Sequence, residues 1–156
     1  MTWQEVCDDP SLQNLPYKIE LDHWGRIVMS PANNRHGRHQ MRFGLLFARH
    51  LRGGESISEC SVETSLGTKV ADAAWASDAF IKKYGFDTPY PVAPEICVEV
   101  VSPSNSAAAI AEKIMLYFSK GADEVWICDQ KGRIEFHDKT GRITKSKRAP
   151  KFPVTI

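Results

Sequence analysis

The stretch Ile96-Cys97-Val98-Glu99-Val100-Val101, followed by Ser102-Pro103-Ser104-Asn105, decides how this chain is read. A nearly unbroken apolar run with one acid in it fits a central strand buried on both faces of a sheet. The Ser-Pro-Ser-Asn segment is a loop carrying helix-capping residues. From Ser106 to Lys120, Ile110, Ile114, Tyr117 and Phe118 form one apolar stripe at helical spacing, and Gly121 closes the helix. Glu124-Val-Trp-Ile-Cys128 is a further apolar strand.

Working outward toward the start, Thr2 and Glu5 have the spacing of a capping box, so a short helix is expected over Thr2 to Asp8, ended by Asp9-Pro10. Tyr17 to Asp22 and Arg26 to Met29 read as two strands around a His23-Trp24-Gly25 turn, with Ser30 to Asn34 as a loop. A long helix is expected over Arg35 to Leu51. Phe43, Leu46, Phe47 and Leu51 fall on one side of it, and Arg35, Arg38, Arg42, Arg49 and Arg52 on roughly the other. Gly53-Gly54 stops it. Glu55 to Thr64 and Lys69 to Ala76 form two strands joined at Leu66-Gly67, followed by a helical turn over Ser77 to Tyr84. A final hairpin pairs Gly132 to Asp138 with Arg142 to Ser146. This order predicts an α/β (α+β) fold with a mixed central β-sheet flanked by helices.

Composition narrows the function classes. A chain of 156 residues, 42% apolar and 25% charged, is expected to be one domain over 1–156 with a core that needs no disulfides. The cysteines Cys7, Cys60, Cys97 and Cys128 are scattered, with no C-x-x-C, which suits a reducing cytoplasm and argues against a zinc site. No apolar run is long enough to span a bilayer, and Met1 to Pro10 has no apolar core of a signal peptide. The net charge of +1 is uninformative, but the basic residues cluster. Residues 131–151 hold eight Lys/Arg against two acids, and Arg35 to Arg52 holds five Arg and no acid. Two such patches suit a polyanion, although basic helix faces are as often merely solvated.

Glu99 is the most informative residue, because an unpaired acid in a buried strand costs several kcal/mol. Asp72 repeats the pattern within Val70-Ala-Asp-Ala-Ala-Trp75. Two carboxylates near strand ends suit a hard cation such as Mg²⁺. Lys113 borders the apolar stripe of its helix and can reach back toward them. Each residue also has a bland reading: Asp72 in a turn or paired with Lys69, Glu99 and Lys113 as a structural ion pair. Cys97 or Cys128 as a catalytic thiol carries little weight, since thiols in apolar strands are usually inert. Trp75 and Trp126 read as core.

The chain resembles the Uma2 family within the PD-(D/E)XK nuclease superfamily. The resemblance rests on Tyr17-Lys-Ile-Glu-Leu, Ile27-Val-Met-Ser-Pro31, Arg38-His39-Gln40, Val70-Ala-Asp72, Ala93 to Ser104, Lys113 with Tyr117, and Gly121 to Asp129. It implies a restriction-endonuclease-like core and a Mg²⁺- or Mn²⁺-dependent endonuclease. Asp72 and Glu99 would hold the metal, with the carbonyl of Val100 as a further ligand. The lysine that other nucleases carry two residues after the acid is replaced by Val101, and Lys113 matches the helix lysine that substitutes for it. His39, Glu63 and Tyr117 are additional candidates. Ala71 stands where the family usually has Pro, and Asn105 where an acid is frequent. DNA is the expected partner, held by Arg35, Arg38, Arg42, Lys145, Lys147 and Arg148. Nucleases that cut two strands commonly act as homodimers. A nuclease fold that binds without cutting, or serves only structurally, is the alternative.

Overall fold

The computed structural model describes residues 1–103 and 105–156, so Ser104 of the Ser-Pro-Ser loop lies outside the described residues. The chain opens with α1 (Trp3–Asp8), capped as expected: Thr2 accepts the Glu5 N–H and Glu5 accepts the Thr2 N–H. A 3-10 turn over Pro10–Leu12 precedes β1 (Tyr17–Leu21) and β2 (Ile27–Pro31). Then follow α2 (Asn34–His50), β3 (Gly54–Thr64), β4 (Gly67–Ser77), α3 (Asp78–Tyr84), β5 (Ile96–Val100), α4 (Ala107–Ser119), β6 (Glu124–Cys128), β7 (Ile134–Asp138) and β8 (Gly141–Ile143).

The sheet is mixed. Its order is β3-β4-β5-β6-β7-β8, with β5–β6 parallel and the other neighbouring strands antiparallel. The parallel pair is joined through α4, and both of its strands are buried along their whole length, which is why they carry the two apolar runs. The first hairpin is not part of this sheet. β1 and β2 pair only with each other, and β1 packs across β4. Gly67 permits that approach: it has φ +88°, and a Cβ there would sit 2.3 Å from the carbonyl oxygens of Leu21 and Asp22.

Two apolar layers flank the sheet. Phe43 and Phe47 of α2 pack with Trp126, Phe136 and Phe152 on one face. Phe80 of α3 and Tyr117 of α4 pack with Cys97, Val125 and Tyr90 on the other. Successive residues of β5 therefore alternate between layers, and Glu99 shares the α4 side with Cys97. Among the described residues, no helix is long and apolar enough to cross a membrane.

Candidate functional site

The site forms where β4 and β5 part. Their ladder pairs Trp75 with Ile96, Ala74 with Cys97 and Ala73 with Val98. One step further in this register, Asp72 lies across from Glu99. Beyond the ladder a side chain takes over from the backbone, and Asp72 Oδ2 accepts the Val100 N–H at 2.6 Å. Glu99 faces α4, where Lys113 and Tyr117 stand one turn apart. Tyr117 Oη donates to Glu99 Oε1 at 2.7 Å, and Lys113 Nζ donates to Oε2 at 3.0 Å. The ion pair between Glu99 and Lys113 thus exists, within a larger network.

β1 supplies the rest of that network. Glu20 Oε1 accepts Lys113 Nζ at 2.7 Å and the Val70 N–H at 2.9 Å. Lys18 Nζ donates to Asp72 Oδ1 at 2.6 Å and lies 3.6 Å from Glu99 Oε2. His36 Nε2, from the first turn of α2, is 3.0 Å from Asp72 Oδ1. Glu59 lies across from Asp72 on β3, where the ladder omits one pair and Glu59 itself has φ +50°. Its Oε1 accepts a bond from Gln40. These groups line a cleft of about 460 Å³.

The charges hold one another. Burial alone would raise the pKa of Asp72, but the Lys18 charge and the His36 bond outweigh it and hold the acid at about 2. Burial opposes ionisation of Glu20 as well, and Lys113 and Lys18 overcome it, lowering that acid. At Glu99 burial wins over Lys113 and Lys18, with Asp72 and Glu20 adding repulsion, and the pKa rises. His36 is raised by its bond to Asp72. The donor set suits a divalent cation: hard carboxylate oxygens on Asp72 and Glu99, and ligand atoms of His36, Glu59 and Asp72 all within 4.8 Å of one another.

Asp72, Glu99, Lys113 and Tyr117, named from sequence, thus meet, with the Val100 backbone among them. Other candidates lie elsewhere. His39 is on the buried face of α2 in line with Phe43 and Phe47. Its Nε2 is 3.5 Å from the Gln130 carbonyl, and its Nδ1 has no partner among the described residues. Glu63 is exposed, about 13 Å along β3 from Glu59 at the strand rise, in a separate depression with Trp3 and Asp22. Lys147 pairs with Asp138, and Arg148 Nη2 is 2.6 Å from Asp123 Oδ2. Their backbone amides bind Glu124, at the opposite end of the β5–β6 pair from the cleft. Lys145 is exposed, as are Arg35, Arg38 and Arg42 on α2, and Arg35 Nη1 bonds Gln130 Oε1 at 3.1 Å. Burial pushes the Cys128 thiol up to about 12 and Cys97 well above its ordinary value, so neither is a thiolate nucleophile.

Lys18, Glu20, His36 and Glu59 join the site in addition to the residues expected from sequence. Lys18 and Glu20 share one face of a strand, a period-two signal that a pair of opposite charges had been placed together. His36 could have been separated from His39 by helical spacing alone. His39 falls four and eight residues before the core positions Phe43 and Phe47, whereas His36 shares its side with Gln40.

The comparisons agree with this architecture. A family model, Uma2, described as "Putative restriction endonuclease", matches residues 3–148. A crystal structure of a putative nuclease belonging to DUF820 from Anabaena variabilis ATCC 29413 is similar in fold, with a TM-score of 0.66 at 18% identity, over 88% of this chain and 79% of that one. No curated protein matches. The family match spans nearly the whole chain, including every residue of the cleft network, and on it the chain belongs to the Uma2 family, a restriction-endonuclease-like nuclease family.

Proposed function

We propose that this protein is a Mg²⁺- or Mn²⁺-dependent endonuclease acting on DNA phosphodiesters. The observation that carries the reading is the meeting of Asp72 and Glu99, from adjacent strands, on the wall of an open cleft with Lys113 bonded to Glu99. In this reading Asp72 and Glu99 hold the cation, with the Val100 carbonyl as a further ligand. When bound, the cation supplies Lewis-acid neutralisation of the phosphate and makes water more acidic. Lys113, held by Glu20 and Glu99, presents a fixed positive charge where the phosphorane-like oxygens gather charge. Tyr117 fixes the carboxylate of Glu99. Arg35, Arg38 and Arg42 lie exposed on α2, the helix whose first turn supplies His36 to the cleft, and suit the DNA backbone. Such contacts give salt-dependent affinity without sequence readout.

The test is nicking of supercoiled plasmid with Mg²⁺ or Mn²⁺. Asp72→Asn and Glu99→Gln are expected to abolish it with the circular dichroism spectrum unchanged. Lys113→Met is expected to slow it on the order of 10²-fold. Persistence of nicking in both acid variants refutes the assignment. Salt-sensitive DNA binding without nicking by the wild type identifies a binding module instead.

A further inference from the structure

Every carboxylate oxygen of Asp72 and Glu99 already has a partner. On Asp72, Oδ2 accepts the Val100 N–H, and Oδ1 meets Lys18 and His36. On Glu99, Oε1 accepts Tyr117 Oη, and Oε2 meets Lys113 and Lys18. Of these partners only the Lys18 ammonium reaches both acids, at 2.6 Å from Asp72 Oδ1 and 3.6 Å from Glu99 Oε2. The Val100 amide is fixed by its strand, and Lys113 keeps a second acid, Glu20, at 2.7 Å. Lys18 differs in origin too. It comes from β1, in the hairpin outside the main sheet, on a flexible four-carbon stem.

We propose that Lys18 is a built-in cation that holds Asp72 and Glu99 together in the metal-free protein, and that a divalent ion binds by displacing its ammonium. The proposal rests on the reading of Asp72 and Glu99 as metal ligands. A divalent ion held by the two acids would take the place of the ammonium that reaches both of them. Two cations in that gap would repel strongly, because water screens little among groups this buried. Of the other cationic groups, Lys113 approaches Glu99 from α4 and is anchored by Glu20, and His36 meets Asp72 and not Glu99. Lys18 itself lines the cleft, which gives the released side chain room. Metal binding is therefore an exchange of cations, and the affinity measured for the wild type is reduced by the work of expelling Lys18.

The experiment is a Mn²⁺ titration of the full chain, by calorimetry and by the loss of the free-ion paramagnetic resonance signal, with wild type, Lys18→Met and Asp72→Asn. Lys18→Met is expected to bind Mn²⁺ about tenfold tighter or more, since no charge has to leave. Its metal-free form is expected to unfold more easily and to be rescued by Mn²⁺. Equal or weaker binding by Lys18→Met, with Asp72-dependent binding in both proteins, overturns the exchange and leaves the metal-site reading standing. Absence of Asp72-dependent binding in both removes the metal-site reading and the exchange with it. A wild-type measurement covers the case in which Lys18→Met does not fold. Reductive methylation followed by peptide mass mapping is expected to modify Lys18 several-fold faster when Mn²⁺ is added, with exposed Lys145 as the internal reference. Unchanged Lys18 reactivity at saturating Mn²⁺ overturns the proposal.

Discussion

Glu99 and Glu124 stand on neighbouring parallel strands, both buried, at 7% and 2% exposure, yet they are built for opposite ends. Glu124 accepts three neutral N–H groups: Trp126 Nε1 at 2.8 Å, Lys147 N at 2.8 Å and Arg148 N at 2.9 Å. Two of these are backbone amides and the third is a ring in the core, so none can swing away. Glu99 is held by two ammonium groups and a phenol, each on a side chain, beside a cleft. Burial alone thus does not distinguish the two acids. Charged partners on movable side chains and the open space beside them do.

The same substitution at both positions tests that contrast most severely. Glu99→Gln is expected to remove metal-dependent cleavage entirely while changing stability by about 1 kcal/mol or less, because a neutral group suits that buried position and Lys18 and Lys113 keep Asp72 and Glu20. Glu124→Gln is expected to do the reverse. The amide nitrogen cannot accept, so one or more buried N–H groups lose their partner, at about 2–4 kcal/mol in a urea titration, and cleavage by the folded fraction is retained. A large stability loss at Glu99, or a cleavage loss at Glu124 beyond its unfolded fraction, collapses the distinction.

A smaller effect sharpens it. Tyr117 is fully buried, and its hydroxyl touches Glu99 but lies behind it, on the α4 side. Tyr117→Phe keeps the ring in its apolar layer and removes one bond from Oε1. Metal affinity is expected to fall about tenfold, as for other groups that orient a ligand, and stability by about 1 kcal/mol. An unchanged Mn²⁺ isotherm would show that Tyr117 serves the core alone.

The central segment was legible because its signals are local. An apolar run, a capped helix, a Gly stop and a second apolar run leave little choice of architecture, and an acid inside such a run must be answered by something nearby. Asp72, Glu99 and Lys113 follow from that. Glu124 shows the limit of the same argument, since its three donors include two amides far along the chain that no spacing rule connects to it. Lys18 and Glu20 were legible as a charge pair on one strand face but not as part of the site, for a related reason. Their strand alternates like any exposed hairpin, and only the docking of β1 across β4 buries them. Glu59 depends on a positive φ at a non-glycine residue, which sequence does not announce. The basic C-terminal stretch shows the same limit, because charge clustering along the chain says nothing of which end of a sheet it reaches or of the partners Asp138 and Asp123 that Lys147 and Arg148 find there.

The gentlest probe is pH, and again it separates the two acids. His36 touches the Glu99 end through Asp72, and that contact raises its pKa above the ordinary 6.5. A group that holds its proton more tightly folded than unfolded stabilises the fold in its protonated form. The contribution of His36 is therefore complete below about pH 6.5, and it fades as pH rises through the higher folded value. The metal-free protein is expected to show a lower urea midpoint at pH 8 than at pH 6, and His36→Gln is expected to flatten that slope. Glu124→Gln lowers both midpoints but leaves the slope intact, because its amide donors do not titrate in this range. A slope that survives in His36→Gln places its origin elsewhere and removes His36 from the charge network around Asp72.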